Sequence, residues 1–245
     1  ETAQALRRKA HAHYEMAVEL DPDSAGLHHS AGLMAQAAGD SDAALAHFEQ
    51  AGELDPLDPS HALFAAQVLI ANGELDAARD HIEHVLELDP DEPVAYASLA
   101  MIDLEREQFD AALEHIGEAR AIAPDDLRFI VQEARIRRLM GDPERSIASL
   151  AALSADERAD AGVASELAAA YGALDRYVDA AATWAHRYER RSDDPRAYLA
   201  AVRAAEALLR AGRRSEASEW LDRARILSPR APEVLALEEE MRGEE

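Results

Sequence analysis

The 245-residue sequence predicts an all-α protein built from repeated antiparallel helix pairs, and three observations carry that prediction. First, the phrase Glu19-Leu20-Asp21-Pro22 recurs as Glu53-Leu54-Asp55-Pro56 and Glu87-Leu88-Asp89-Pro90, and Ala121-Ile122-Ala123-Pro124 follows. The prolines at 22, 56, 90 and 124 are thus separated by a constant step of 34 residues, a period that marks a repeat architecture. Second, alanine is very abundant, at 55 residues, while only 5% of the chain is aromatic. Alanine is the best helix former and lets helices approach closely. Third, the prolines are scattered where helices should stop, because the residue before a proline avoids the helical region.

The unit 25–58 shows the logic of each element. A first helix is expected over about 26–38, a turn at Gly39-Asp40, a second helix over about 42–54, and a stop before Pro56. The small residue Gly32 lets the two helices touch, and Phe48 plugs the space beside them. The same positions recur as Ala66, Ala78, Ile82, Val85 and Pro90, and as Ala100, Ala112, Ile116, Ala119 and Pro124.

These residues carry a resemblance. Gly32, Ala44, Phe48, Ala51 and Pro56, with their counterparts in the next two units, resemble the tetratricopeptide repeat (TPR) pattern position for position. The resemblance implies an all-α, right-handed superhelical solenoid of antiparallel helix pairs, with a concave groove lined mainly by first helices. It divides the chain into a partial first repeat or capping helix (1–24), TPR units at 25–58, 59–92 and 93–126, degenerate units at 127–160 and 161–194, a further unit at 195–231, and a C-terminal capping helix and tail (232–245). In 127–160, Ser146 and Leu153 replace alanines and the closing proline is missing. Pro229 lies 105 residues after Pro124, three more than three periods, which places an insertion near Arg191–Pro195. The chain begins at Glu1, without methionine, and reads as a fragment or processed form. The source is expected to be bacterial and the compartment cytoplasmic or periplasmic.

Composition narrows the function classes. The net charge of −24 disfavours nucleic acid and anionic membrane as partners. Cysteine is absent, which removes disulfides, thiolate metal sites and cysteine nucleophiles. No apolar run approaches the ~18 residues of a membrane helix, so no direct membrane insertion is expected. The sequence carries no GxSxG elbow, phosphate-binding glycine–lysine loop, GxGxxG or HExxH. Neither enzymatic activity nor a cofactor is expected.

Histidines at 13, 47, 81 and 115 keep the 34-residue step. Equivalent helices lie at least about 8–10 Å apart, too far for this ladder to converge on one ion, and packing against neighbours is the expected role. His81 and His84 share a helix face but lack an evident third ligand. His28-His29 and His11/His13 have the wrong spacing to face together, and each is expected to be a lone exposed side chain.

Residues 1–126 hold 6 basic and 27 acidic residues, net −21, whereas 127–245 hold 19 and 22, net −3. The resemblance implies that the function is a non-catalytic protein–protein interaction scaffold that binds a peptide or partner protein in the concave groove. Carried onto this chain by phase, the inward positions are Leu63, Gln67 and Ile70, then Met101 and Leu104, then Arg128, Val131, Arg135 and Arg138, and in the last unit Leu199, Val202, Glu206 and Leu209. An apolar strip leading to arginines suits a carboxylate-bearing peptide. The chaperone-type carboxylate clamp is poorly matched, since Leu63, Gln67, Ser98, Arg128 and Gln132 offer one cation. Self-association through Trp220 or the N-terminal unit is also compatible with the family. The alternative is a regulatory or targeting segment of a larger enzyme or membrane-anchored assembly factor.

Overall fold

The computed structural model describes residues 3–243, and among them the secondary structure is helical throughout. The helices are α1 (Ala3–Leu20), α2 (Ala25–Ala38), α3 (Ser41–Leu54), α4 (Pro59–Asn72), α5 (Leu75–Leu88), α6 (Pro93–Glu105), α7 (Phe109–Ile122), α8 (Leu127–Leu139), α9 (Pro143–Ala151), α10 (Ala161–Gly172), α11 (Tyr177–Arg190), α12 (Ala197–Arg210), α13 (Arg214–Leu227) and α14 (Pro232–Gly243). They fall into two units, Glu1–Pro124 and Asp125–Glu245, each an all-α stack of helix pairs.

The 34-residue period has a local cause at both ends of each first helix. The N-caps Ser24, Asp58, Glu92, Asp126 and Asp160 recur at that step, and each side chain accepts a backbone N–H of the first turn. Such caps satisfy donors that the helix itself leaves orphaned. At the far end, Gly39, Gly73, Glu107, Gly141 and Asp175 recur at the same step with positive φ, and Gly212 follows 37 residues after Asp175. The next residue closes the turn by donating its N–H back to the carbonyl five residues earlier, as in Asp40 to Ala35, Glu74 to Leu69 and Gln108 to Asp103. This is the Schellman geometry, which requires a left-handed residue.

Between the helix pairs, the loops 21–24, 55–58, 89–92, 123–126 and 228–231 have four residues each, whereas 191–196 has six. The extra residues fall where the proline spacing lengthens. A second departure follows α9, which has only 9 residues. Residues 152–160 form turns instead, and Arg158 donates to the carbonyls of Ala151 and Leu153 to close the helix end.

The core sits where the repeated positions meet. Ala44, Phe48 and Ala51 are fully buried, as are Ala78, Ile82 and Val85, and Ala112, Ile116 and Ala119. A Cβ on Gly32 would stand 2.7 Å from Phe48 Cε1, so only glycine lets α2 lie against that ring. Phe48 in turn stacks on Phe64, 5.3 Å between centroids.

Some histidine expectations are corrected. His28 is buried, not a lone exposed ring: its Nε2 meets the Pro22 carbonyl at 3.0 Å and its Nδ1 meets His47 Nδ1 at 3.2 Å. His29 Nδ1 lies 2.9 Å from His61 Nδ1. His11 Nε2 lies 2.8 Å from Glu15 Oε1. The ladder itself serves unlike ends, because His13 is exposed whereas His115 Nδ1 donates to Asp103 at 2.6 Å. Asp103 is 1% exposed and also receives Arg79 at 2.5 Å. A carboxylate so deeply buried is tolerable only with such partners.

Candidate functional site

In the second unit, α10, α11 and α12 enclose a groove of about 990 Å³. Its volume comes from absent side chains. Ala161, Ser165, Ala169 and Gly172 of α10 are all small and line one wall at near-helical spacing. Tyr177, Ala180 and Trp184 of α11 form the floor. Leu199, Arg203, Glu206 and Arg210 of α12 form the opposite wall, and Arg196 at the N-cap of that helix extends it.

Arg196, Arg203 and Arg210 are seven residues apart, two helical turns, and so share one face. Arg203 donates to Glu206 at 2.9 Å. Arg187 is anchored by the Ala159 carbonyl at 2.5 Å and by Asp194 at 3.1 Å. Arg196 and Arg210 have no ion pair among the described residues. Four arginines against two carboxylates, Asp194 and Glu206, make this groove basic inside a strongly acidic chain. At its mouth, Tyr177 donates to Asp175 Oδ1 at 2.9 Å, which holds the phenol above its usual range. The arrangement offers aromatic surface, backbone-sized space and guanidinium donors.

The residues put forward from sequence divide between the two units. Leu63 and Ile70 are half-buried on α4, packed on the cluster around Ala66 and Leu69. Gln67 is exposed, Met101 on α6 is 43% exposed, and Leu104 is half-buried. On α8, Arg128 reaches back to its own cap, Asp126, at 2.6 Å and holds that carboxyl below the usual range. Val131 is half-buried toward Gly162 of α10. Arg135 is exposed. Arg138 forms a two-pronged pair with the buried Glu166 of α10, at 2.5 and 3.2 Å. Arg128, Arg135 and Arg138 of α8 therefore act separately, each with different surroundings.

Of the last-unit positions, Leu199 and Glu206 line the groove while Val202 is buried in the core. Sequence reasoning missed Ser165, Ala169, Gly172, Tyr177, Arg196, Arg203 and Arg210. The signals were present in the seven-residue arginine spacing and the run of small residues over 161–172.

Among the described residues, two groups elsewhere bring metal-ligating atoms together, His11 with Glu15 and His47, and Asp55 with Asp58 and His61. Asp58 is the cap of α4, and the hydrogen bond from Ser60 lowers its carboxyl pKa. No described helix is long and apolar enough to cross a membrane.

Residues 35–102 match the family model of the tetratricopeptide repeat. No curated protein matches the sequence. Among solved structures, the chain is similar to a thermophilic TPR protein of Thermus thermophilus, at 23% identity and a TM-score of 0.61, over 76% of this chain and 100% of that one. It is similar to the Cut9–Hcn1 hetero-tetramer of APC/C at 16% identity and a TM-score of 0.65, over 96% of this chain and 46% of that one. It is also similar to PilF of Pseudomonas aeruginosa at 18% identity and a TM-score of 0.56, over 96% and 99%. At these identities the likeness is one of fold.

Proposed function

We propose that this chain, which matches the tetratricopeptide repeat over residues 35–102 and shares the fold of solved TPR proteins, is a non-catalytic scaffold whose second-unit groove takes an extended, acidic segment of a partner protein. The observation that supports this reading is the pairing of a groove of about 990 Å³ with Arg196 and Arg210 on its wall. Four arginines against Asp194 and Glu206 give this cleft a positive surplus within a unit whose net charge is −5. Guanidinium groups hold carboxylates in two-pronged, directional fashion. The small residues of α10 leave room for a peptide backbone, and Trp184 and Tyr177 offer apolar surface for its side chains. Arg135, exposed in the same unit, is proposed as an additional contact.

The test is an array of synthetic peptides matched in length and apolar content but differing in charge, probed with the full chain and with Arg196→Glu/Arg210→Glu. Acidic peptides should bind, weaken as salt rises, and lose at least tenfold in affinity with the double variant. Equal binding of basic peptides, or affinity indifferent to the charge reversal, would overturn the assignment to this groove.

A further inference from the structure

We propose that His11, Glu15 and His47 form a binding site for a divalent transition-metal ion, with zinc the ion the donor set fits best. The three residues come from two helices. His11 and Glu15 stand four apart on α1 and so share a face, and His47 reaches them from α3. Glu15 Oε1 lies 2.8 Å from both His11 Nε2 and His47 Nε2, and all three donor atoms lie within 4.8 Å of one another. Two imidazoles and a carboxylate with the remaining position left to water is a zinc-type ligand set. Tetrahedral bonds of about 2.0–2.1 Å put ligand atoms ~3.3 Å apart. The two imidazole–carboxylate distances would open by about half an ångström and the two imidazoles would close by at most ~1.5 Å, within side-chain torsional freedom.

Proton accounting points the same way. The Pro22 carbonyl only accepts, so His28 must donate to it through Nε2. A neutral His28 then presents a bare Nδ1 to His47 Nδ1, 3.2 Å away, and His47 must donate there. A neutral His47 therefore turns a lone pair, not a proton, toward the Glu15 carboxylate. Three contacts run along this chain of groups and two neutral rings supply only two N–H donors. The third contact is met either by a second proton on His47 or by a metal ion between His47 and Glu15, and the metal ion meets it with the ring left neutral. The same chain is the outer support that metal-binding histidines require, because His47 is oriented through His28 by a main-chain carbonyl. His47 is 13% and His11 18% exposed, Glu15 43%. His11 also lines an open cleft with Arg8 and the 38–42 turn, which provides an entry path for the ion.

The ion would fasten α1 to the second helix pair. Calorimetric titration of the untagged, chelator-treated full chain with zinc chloride near pH 7.5 should show one equivalent bound and a raised melting temperature. His11→Gln, Glu15→Gln and His47→Gln should each weaken binding at least a hundredfold, and His28→Phe about 10–100-fold. His13→Gln, one exposed histidine nearby on α1, should leave it unchanged. Where a variant folds poorly, cobalt(II) titration of the wild-type chain gives an independent readout, since a tetrahedral site produces intense visible absorption bands. Absence of zinc binding, with a proton alone bridging His47 and Glu15, would overturn the proposal. So would zinc binding that survives His47→Gln, or that is lost instead with Asp58→Asn in the other cluster.

Discussion

Ser146 occupies the position at which Ala112, Ala78 and Ala44 stand one, two and three periods earlier. Its Oγ is buried and has no hydrogen-bond partner among the described residues. An unmet buried hydroxyl costs about 1–3 kcal/mol, whereas alanine fits the site in three other units. Ser146→Ala should therefore raise the denaturant midpoint, by about 1 kcal/mol at unchanged slope. A fall in stability would mean that the hydroxyl turns back onto the Asp142 carbonyl instead. His29 presents the opposite case, a polar ring with partners but an unfavourable setting for charge. It packs edge-on against Phe48 and Phe64 and faces His61. Burial, then the charge of His61, lowers its pKa below the ordinary 6.5, and Asp58 offsets part of this. The unfolded chain thus binds the proton more readily, so this contribution to stability is complete above about pH 6.5 and is lost as pH falls below it. His29→Phe should flatten the loss of stability between pH 7 and 5. The lowered carboxyls of Glu15 and Asp58 act in the more acidic carboxylate range and leave that window to histidine. An unchanged slope in the variant would remove His29 as its source.

At the scale of the element, the turn between the two helices of a pair is the same object in each unit, yet its left-handed residue changes identity. Gly39, Gly73, Gly141 and Gly212 adopt positive φ without steric cost, while Glu107 (φ 57°) and Asp175 (φ 56°) do so against it. Glu107→Gly should stabilise the first unit by about 1 kcal/mol, read from the melting curve. No change, or a loss, would show that the glutamate side chain compensates for its backbone. This difference explains what could be read from the sequence. The turn at Gly39 and the helix stop before Pro56 were legible, because their chemistry is local. The turn at Glu107 follows only from the period, since the tertiary docking of α6 on α7 holds a residue that propensity disfavours. The shortening of α9 was foreshadowed by Ser146 and the missing proline, but not its end at Ala151. The groove was legible only in Leu199 and Glu206. Its volume depends on what α10 lacks and on the six-residue loop before α12, neither of which a search for binding side chains brings forward. The histidine contacts were hidden for a related reason: His28, His47 and Glu15 meet across helices, where spacing along one helix says nothing.

At the scale of the whole chain, charge divides more sharply than structure. The unit 1–124 holds 6 basic against 25 acidic residues, net −19, and the unit 125–245 holds 19 against 24, net −5. Their helices obey one packing pattern, so the difference lies in the field each carries. Like charges at this density repel within a folded unit and weaken it, and salt screens that repulsion with a Debye length of about 10 Å at 0.1 M. The second unit instead ties many of its arginines into pairs, such as Arg138 with Glu166 and Arg190 with Asp156. Pairs at the surface are weakened by the same screening. Raising sodium chloride from low ionic strength should therefore increase amide hydrogen-exchange protection in 25–124 and leave that of 125–243 unchanged or lower. Equal gains in both units would mean that salt acts on apolar burial common to all the helix pairs. A loss of protection in the first unit would mean that attraction, such as that of Arg79 and His115 for Asp103, outweighs the repulsion of its surplus carboxylates. The acidic unit would then owe its stability to the few cations it has, and the placement of those cations at buried Asp103 would be the reason so few are enough.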